Sequence, residues 1–107
     1  MELIKPCPVH ASILVVGGKW KPCIIYQLRT DTLRFGELKR QMPWISEKVL
    51  IRHLKELEAD GIVTRRDHGE VPPRVDYSLS DYGKTVRPLI TAMADWGKKH
   101  SERPPSQ

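Results

Sequence analysis

The middle of the chain combines basic side chains with the leucine spacing of an amphipathic helix. Leu50, Leu54 and Leu57 recur at helical intervals, so they predict one inward-facing surface. This helix is expected to run over residues 46–60. Polar and basic side chains fall on its other faces and flanks, where they can meet the phosphates and base edges of a nucleic acid. The candidate contacts on this helix are Ser46, Lys48, Val49, Arg52, His53 and Lys55.

Most of these contacts have a specific chemical reason. Ser46 stands at the predicted N-cap, and with the N–H groups of the first turn it can bind a phosphate. Arg52 can donate two hydrogen bonds to O6 and N7 of guanine. Val49 and His53 can touch base edges or a thymine methyl group. The alternative is that all of them are solvated positions on an ordinary amphipathic helix.

A β-hairpin that carries several basic residues is predicted next. Apolar and polar residues alternate over residues 62–66 and 75–79, which indicates two strands joined by a loop. Such a wing can contact the phosphates of a flanking minor groove. The candidate contacts are Arg65, Arg66, His68 and Arg74. The acidic residues of the segment are Asp67, Glu70 and Asp76. They make the segment neutral overall, so cross-strand salt bridges are the alternative use of these charges.

A short amphipathic helix over residues 35–42 is expected to precede the basic helix and to end at Pro43. At its start and along its surface, Arg34, Lys39 and Arg40 could hold the DNA backbone. The alternative for each of them is a solvated, charged face.

Three further helices are expected over residues 10–16, 19–29 and 80–100. The first is almost wholly apolar and is therefore expected to be buried. In the second, Trp20, Ile24 and Leu28 form the predicted inward stripe, and in the last, Pro88 either kinks the helix or marks its late start. The predicted fold is mainly α with a small antiparallel β-hairpin, in the order α-α-α-α-β-β-α. Two short helices joined by a tight turn and followed by a hairpin form a winged helix-turn-helix.

The two cysteines have different expected environments. Cys7 lies between two prolines, so it is expected in an accessible, extended segment beside a helix N-terminus, which suits a redox-sensing thiol. The alternative is an ordinary surface cysteine. Cys23, among the isoleucines of the second helix, is expected to be a buried and inert thiol. Two cysteines cannot build a disulfide framework.

Composition indicates one small basic domain. The chain has 107 residues, 18 Lys and Arg against 13 Asp and Glu, and a net charge of +5, which suggests a polyanionic partner. We expect a single domain over residues 1–107, with flexible tails at about 1–8 and 101–107. The longest apolar run, residues 13–16, is too short to span a membrane, and no export signal is visible. A cytoplasmic location is therefore expected.

Catalytic and cofactor motifs are missing from the sequence. The histidines are scattered, and Cys7 and His10 have no second ligand pair at zinc-finger spacing. Gly17-Gly18-Lys19 does not form a phosphate-binding loop. We therefore predict a protein that is not an enzyme, with no catalytic residue, metal or cofactor.

Apolar residues on the first and last helices exceed what one small core needs. Some of this surface is expected to meet a second subunit. The candidate interface residues are Ile13, Val16, Leu89, Met93 and Trp96. A two-fold dimer would place two DNA-contacting helices about 34 Å apart, in successive major grooves. The alternative is that both helices only close the core of the monomer.

An ordered set of motifs closely resembles the HxlR-type winged helix-turn-helix transcription regulators of bacteria, relatives of the MarR group. The set runs over Cys7-Pro8, Gly18-Lys19-Trp20, Arg34-Phe35 with Glu37-Leu38, Ile45-Ser46 with Lys48 and Leu50, Leu54 with Leu57 and Gly61, Pro72-Pro73-Arg74-Val75, Tyr77 with Leu79, and Trp96-Gly97. The resemblance covers roughly residues 6–97.

This resemblance implies a homodimer formed through the first and last helices that binds double-stranded operator DNA near a promoter. Some members sense electrophiles or oxidants through a cysteine that matches Cys7. The resemblance does not fix the operator, the sign of regulation or any small-molecule effector. Two alternatives are a winged-helix module that binds only protein and a regulator gated by a small molecule. In the second, an apolar cavity would be lined by Trp20, Tyr26, Met93 or Trp96.

Overall fold

The computed structural model describes residues 7–104, and parts of both predicted tails, residues 1–6 and 105–107, lie outside this range. In chain order the elements are α1 (Pro8–Val16), α2 (Lys21–Leu28), β1 (Leu33–Arg34), α3 (Phe35–Gln41), α4 (Glu47–Ala59), β2 (Val63–Asp67), β3 (Val75–Leu79), a short 3-10 helix (Gly83–Val86) and α5 (Arg87–Ser101). Helix α1 starts at Pro8 rather than at His10, because proline suits the first helical turn.

The strands form a three-stranded antiparallel sheet in the order β1-β3-β2. Strands β2 and β3 form the predicted hairpin, and β1 is a third strand that was not predicted. It has only two residues, too few to show the alternation by which a strand is recognised in a sequence. Its residues pair with β3 so that Leu33 lies opposite Tyr77 and Arg34 lies opposite Asp76.

The core forms where α2, α3 and α4 meet the sheet. The predicted inward face of α4 is confirmed, since Leu50, Leu54 and Leu57 are at most 1% exposed. In α2, Ile24 and Leu28 are buried as predicted, whereas Trp20 is half-buried at the edge of the core. The largest fully buried side chains are Ile24, Ile25, Leu38, Met42, Leu50, Leu54, Leu57 and Ile62.

Local signals set the ends of the helices. The hydroxyl oxygen of Ser46 accepts a hydrogen bond from the N–H of Val49 at 3.2 Å, so Ser46 caps α4 as predicted. Gly61 has a φ of +78°, the left-handed conformation that terminates the helix. Helix α5 begins at Arg87, which confirms the late start that Pro88 allowed.

Helix α1 contradicts the expectation of a buried helix. Val9, Ile13 and Leu14 are each more than half exposed, and only Val16 among its described residues is buried. Helix α1 packs against the core through one edge only, with Val16 buried in it and Val15 half-buried beside it. Val16 is therefore a core residue of the monomer, which argues against its predicted place in a subunit interface.

The apolar stripe of α5 is only partly buried as well. Ile90 packs into the core, whereas Leu89, Met93 and Trp96 are 42%, 47% and 68% exposed. A groove of about 620 Å³ runs between α1 and the start of α5. The single chain thus leaves an apolar surface on both helices open to solvent.

Helices α3 and α4 are joined by a tight turn over residues 42–46, and the β2–β3 hairpin follows α4. Two short helices so connected, with an antiparallel hairpin beside them, form a winged helix-turn-helix. The predicted fold class is confirmed, with β1 added to the wing sheet.

Candidate nucleic-acid interface

Helix α4 presents a cationic surface to solvent. Lys48, Arg52 and Lys55 are all exposed, opposite the buried leucines. Ser46 at the N-terminal end is exposed too, and the first turn of any helix has N–H groups without intrahelical acceptors. This end of α4 can therefore hold an anion while the lysines and the arginine reach into a groove.

Val49 and His53 lie on the flank of α4 rather than on its outer face. Val49 is half-buried and packs against the core. The side chain of His53 is 16% exposed, and its Nδ1 atom lies 3.4 Å from Oε1 of Glu56. Both side chains are therefore less accessible to a base edge than the neighbouring cations.

An ion pair fixes α4 against α2. Oε1 of Glu56 lies 2.9 Å from Nζ of Lys21, and the same oxygen contacts His53. The hydrogen bond from Lys21, reinforced by His53, lowers the pKa of the Glu56 carboxyl. The carboxylate is thus ionised at neutral pH and links the two helices.

The turn between α3 and α4 is anchored by apolar side chains. Met42 and Ile45 are buried, and the N–H of Ile45 donates to the carbonyl of Met42 at 3.2 Å. Trp44, at the tip of the turn, is 57% exposed and lies 6.4 Å, between ring centroids, from Trp20. Trp44 carries no signal in the sequence pattern, because a turn residue belongs to no periodic stripe.

Arg34 stands where β1 passes into α3. Its side chain is exposed, and its backbone N–H donates to Oε1 of Glu37 at 2.8 Å. The register places Arg34 and Arg66 on either side of Asp76, so the three residues share one face of the sheet. Arg65 is exposed as well, opposite Tyr77.

His68 and Arg74 differ from the sequence expectation of open wing contacts. Both are half-buried, and both bind Asp76: Nε2 of His68 lies 2.7 Å and Nη2 of Arg74 lies 3.3 Å from Oδ2. The hydrogen bond from His68, together with that from Arg74, lowers the pKa of the Asp76 carboxyl. A buried carboxylate requires such donors. Cross-strand salt bridges were the alternative use predicted for these charges. His68 does reach Asp76 across the hairpin, whereas Arg74 immediately precedes β3, the strand that carries Asp76.

The two cysteines occupy different surfaces. Cys7 is exposed and extended at the N-cap of α1, as predicted. Cys23 is half-buried rather than buried, which corrects the expectation of a core thiol. It lies on the edge of α2 beside a groove of about 270 Å³ that Tyr26, Trp44 and Met93 also line. Of the four residues suggested for a ligand cavity, Tyr26 and Met93 line this groove.

Residues 7–104, the part of the chain that the structure describes, hold no group of three His, Cys, Asp or Glu side chains placed to bind a metal ion. The helices of this part of the chain are all too short or too polar to cross a membrane.

In a winged helix-turn-helix, the second helix of the motif, here α4, is the one that exposes cations. This architecture is typical of DNA-binding transcription regulators. Residues 15–105 match the model of the HxlR-like helix-turn-helix family, and the chain belongs to that family. Its relatives include two uncharacterized HTH-type transcriptional regulators of Bacillus subtilis (strain 168). YdeP is 41% identical over 97 residues, which cover 91% of this chain and 76% of YdeP. YdzF is 46% identical over 94 residues, which cover 87% of this chain and 86% of YdzF.

Solved structures show the same relationship. The redox regulator HypR in its oxidized form superimposes with a TM-score of 0.85 and 42% sequence identity, covering 92% of this chain and 100% of the HypR chain. The protein is therefore a transcriptional regulator with a helix-turn-helix fold, which is not a class of enzyme.

Proposed function

We propose that the protein binds double-stranded operator DNA as a homodimer and controls transcription by occupying sites near promoters. The supporting observation is the division of helix α4 into two faces. Its leucines are buried, whereas Lys48, Arg52 and Lys55 are exposed along the side that a major groove can receive.

Each exposed cation has a role in this proposal. Arg52 donates to a guanine, and Lys48 and Lys55 contact phosphates on either side of the groove. Arg65 and Arg66 on the wing contact phosphates of the flanking minor groove. These contacts divide binding into a sequence-specific part from Arg52 and a salt-dependent part from the other cations.

The dimer is supported by the exposed apolar surface of α1 and α5. Ile13 and Leu14 on α1 and Met93 and Trp96 on α5 are each between 47% and 68% exposed. Burial of such side chains contributes about 25 cal/mol for each Å² removed from water. In the proposed homodimer, two copies of α4 contact successive major grooves of a near-palindromic site.

We further propose that Cys7 makes DNA binding redox-sensitive. Its thiol is exposed at the start of α1, one of the two helices assigned to the dimer interface. A peroxide oxidises the thiol to a sulfenic acid and is itself reduced, with release of water or an alcohol. A thiol of the other subunit then displaces water from the sulfenic acid to give a disulfide. This cross-link changes the spacing of the two α4 helices.

The test of DNA binding starts with genomic fragments selected by the purified protein. Affinity for a selected duplex is then compared with affinity for a scrambled duplex of the same length at moderate salt. The proposal predicts a clear preference for the selected duplex. Equal affinity contradicts specific binding, and the absence of any salt-dependent binding favours the protein-interaction alternative.

The redox proposal is tested by treating wild type and Cys7→Ser with a mild peroxide and measuring operator affinity before and after. Wild type is expected to change and Cys7→Ser is expected not to change. Cys23→Ser leaves Cys7 in place and identifies the second thiol. A response like that of wild type assigns the cross-link to the Cys7 thiols of the two subunits, and a lost response assigns Cys23 as the second thiol. An identical response of wild type and Cys7→Ser contradicts a role for Cys7.

A further inference from the structure

Asp76 occupies the centre of the wing sheet and is buried there. Among residues 7–104 it is the one charged residue that is buried, with 8% of its surface exposed. It lies on the central strand β3, and its register partners are Arg34 on β1 and Arg66 on β2. A buried carboxylate in a small domain is costly unless donors surround it, so its partners indicate what it holds in place.

Its bonding partners are the two ends of the wing loop, residues 68–74. Because Asp76 is ionised, its Oδ2 atom accepts from Nε2 of His68 at 2.7 Å and from Nη2 of Arg74 at 3.3 Å. The backbone N–H of His68 also donates to the carbonyl of Arg74 at 2.9 Å. One carboxylate oxygen thus fastens both ends of the loop to the sheet.

The same arrangement distributes the cations of the wing between two tasks. His68 and Arg74 are half-buried and satisfy the carboxylate. Arg65 and Arg66, just before the loop, remain exposed. Arg66 stays exposed although it is the direct register partner of Asp76. The wing therefore has two groups of basic side chains. Arg65 and Arg66 are free to bind an external anion, whereas His68 and Arg74 hold the loop to Asp76.

We propose that Asp76 is a positioning residue for DNA binding: it fastens His68 and Arg74 at the base of the wing loop so that Arg66, its register partner on the same face of the sheet, faces the duplex. The inference rests on the proposed DNA binding. Asp76 itself does not touch DNA and is an anion close to a polyanion. If only its charge mattered, removing the Asp76 carboxylate would strengthen DNA binding, because it would remove a repulsion from the phosphates. If Asp76 positions the wing, removing it weakens DNA binding. The two roles thus predict opposite signs.

The experiment compares Asp76→Asn with Glu70→Gln on one duplex of about 30 base pairs, long enough for two half-sites a helical turn apart. Glu70 is an exposed loop carboxylate 3.8 Å from Arg74, so the control removes the same charge from the same wing. Asp76→Asn is expected to weaken binding about tenfold or more, the loss of roughly one hydrogen bond to a charged group. Glu70→Gln is expected to bind as tightly as wild type or more tightly. Binding by Asp76→Asn at least as tight as by Glu70→Gln overturns the proposal.

Two histidine variants separate positioning from a general loss of folding. His68→Gln keeps an N–H donor near the position of Nε2 and is expected to retain the DNA affinity of wild type. His68→Ala removes the donor and is expected to weaken binding as Asp76→Asn does. Equal affinity of the Gln and Ala variants contradicts the inference. Thermal unfolding of each variant shows whether the domain is intact.

Amide hydrogen exchange of the DNA-free protein distinguishes failure of this inference from failure of the proposed function. Asp76→Asn is expected to speed exchange at residues 68–74 and to leave α4 unchanged. If wild type shows no salt-dependent DNA binding, the proposed function is wrong and the DNA-positioning role falls with it. Fast exchange would then still show that Asp76 holds the loop. Unchanged exchange in Asp76→Asn rejects that fastening whatever the DNA result.

Discussion

Lys21 of α2 and Glu56 of α4 form an ion pair, with Nζ and Oε1 2.9 Å apart. The contact joins α4, the helix proposed to bind DNA, to α2, a helix of the core. The pair therefore adds one polar contact to the leucine packing that orients α4. Because Glu56 is partly exposed, its contribution to stability is small at moderate salt.

Glu56→Gln is expected to lower the free energy of unfolding slightly at neutral pH. The folded state lowers the pKa of Glu56 from its ordinary value of 4.5, chiefly through the hydrogen bond from Lys21. The stabilisation is therefore complete above pH 4.5 and is lost as the pH falls below that value. Urea unfolding of wild type and Glu56→Gln at pH 7 and pH 3 checks this. The control is Glu58→Gln on the same helix, and a difference that persists at pH 3 argues against the ionised pair.

Arg52→Ala is expected to remove sequence discrimination. If Arg52 binds a guanine, the variant loses about 1–3 kcal/mol on the selected operator and little on a scrambled duplex. Gel-shift titration of both duplexes gives the two affinities. Lys99→Ala removes one positive charge at the end of α5 and serves as the matched control. Equal losses on both duplexes would assign Arg52 to phosphate contact instead.

Arg66→Ala is expected to weaken binding to all duplexes alike. A phosphate contact carries no sequence information, and its loss lowers the slope of log affinity against log salt by about one. Titrations at several salt concentrations on selected and scrambled DNA measure that slope. A change confined to the selected duplex would show that Arg66 contacts a base.

Leu54→Ala is expected to destabilise the fold by about 2–5 kcal/mol, because it leaves a cavity where α4 meets the core. Leu54 is 1% exposed, whereas Ile51 on the same helix is 40% exposed. Ile51→Ala is therefore the control and is expected to cost much less. Chemical denaturation of the two variants measures the difference, and similar costs would mean that α4 is rotated from the orientation described.

Ile13→Asp is expected to convert a dimer to a monomer. Ile13 lies on the exposed side of α1, where a charge would be buried against the second subunit. Sedimentation velocity of wild type and variant reports the mass. Val71→Asp introduces the same charge at a wing residue that is 98% exposed and should leave the mass unchanged. A monomeric wild type would exclude the proposed interface.

The sequence predicted the parts of the fold that local patterns determine. Leu50, Leu54 and Leu57 gave the correct inward face of α4, and Ser46 gave the correct cap, because both signals lie within a few neighbouring residues. The exposed cations of α4 followed from the same periodicity. Whether they bind DNA remains a prediction.

Features set by distant contacts were missed. Strand β1 exists because Leu33 pairs with Tyr77, more than forty residues away, and two residues show no period. His68 was expected to be open because it lies in a loop. Its partner Asp76 is eight positions along the chain and is reached only when the hairpin closes. Helix α1 was expected to be buried because it is apolar nearly all round, but an apolar composition does not tell how much of a helix the rest of the chain covers.

The most direct test of the account is methylation protection of guanine N7 in a selected operator, since N7 lies in the major groove beside O6. With wild-type protein, the account predicts protection of a guanine in each half-site, about one helical turn apart. With Arg52→Ala bound to the same duplex at saturation, that guanine becomes reactive again. Unprotected major-groove guanines under saturating wild-type protein would contradict the assignment of α4 to the major groove.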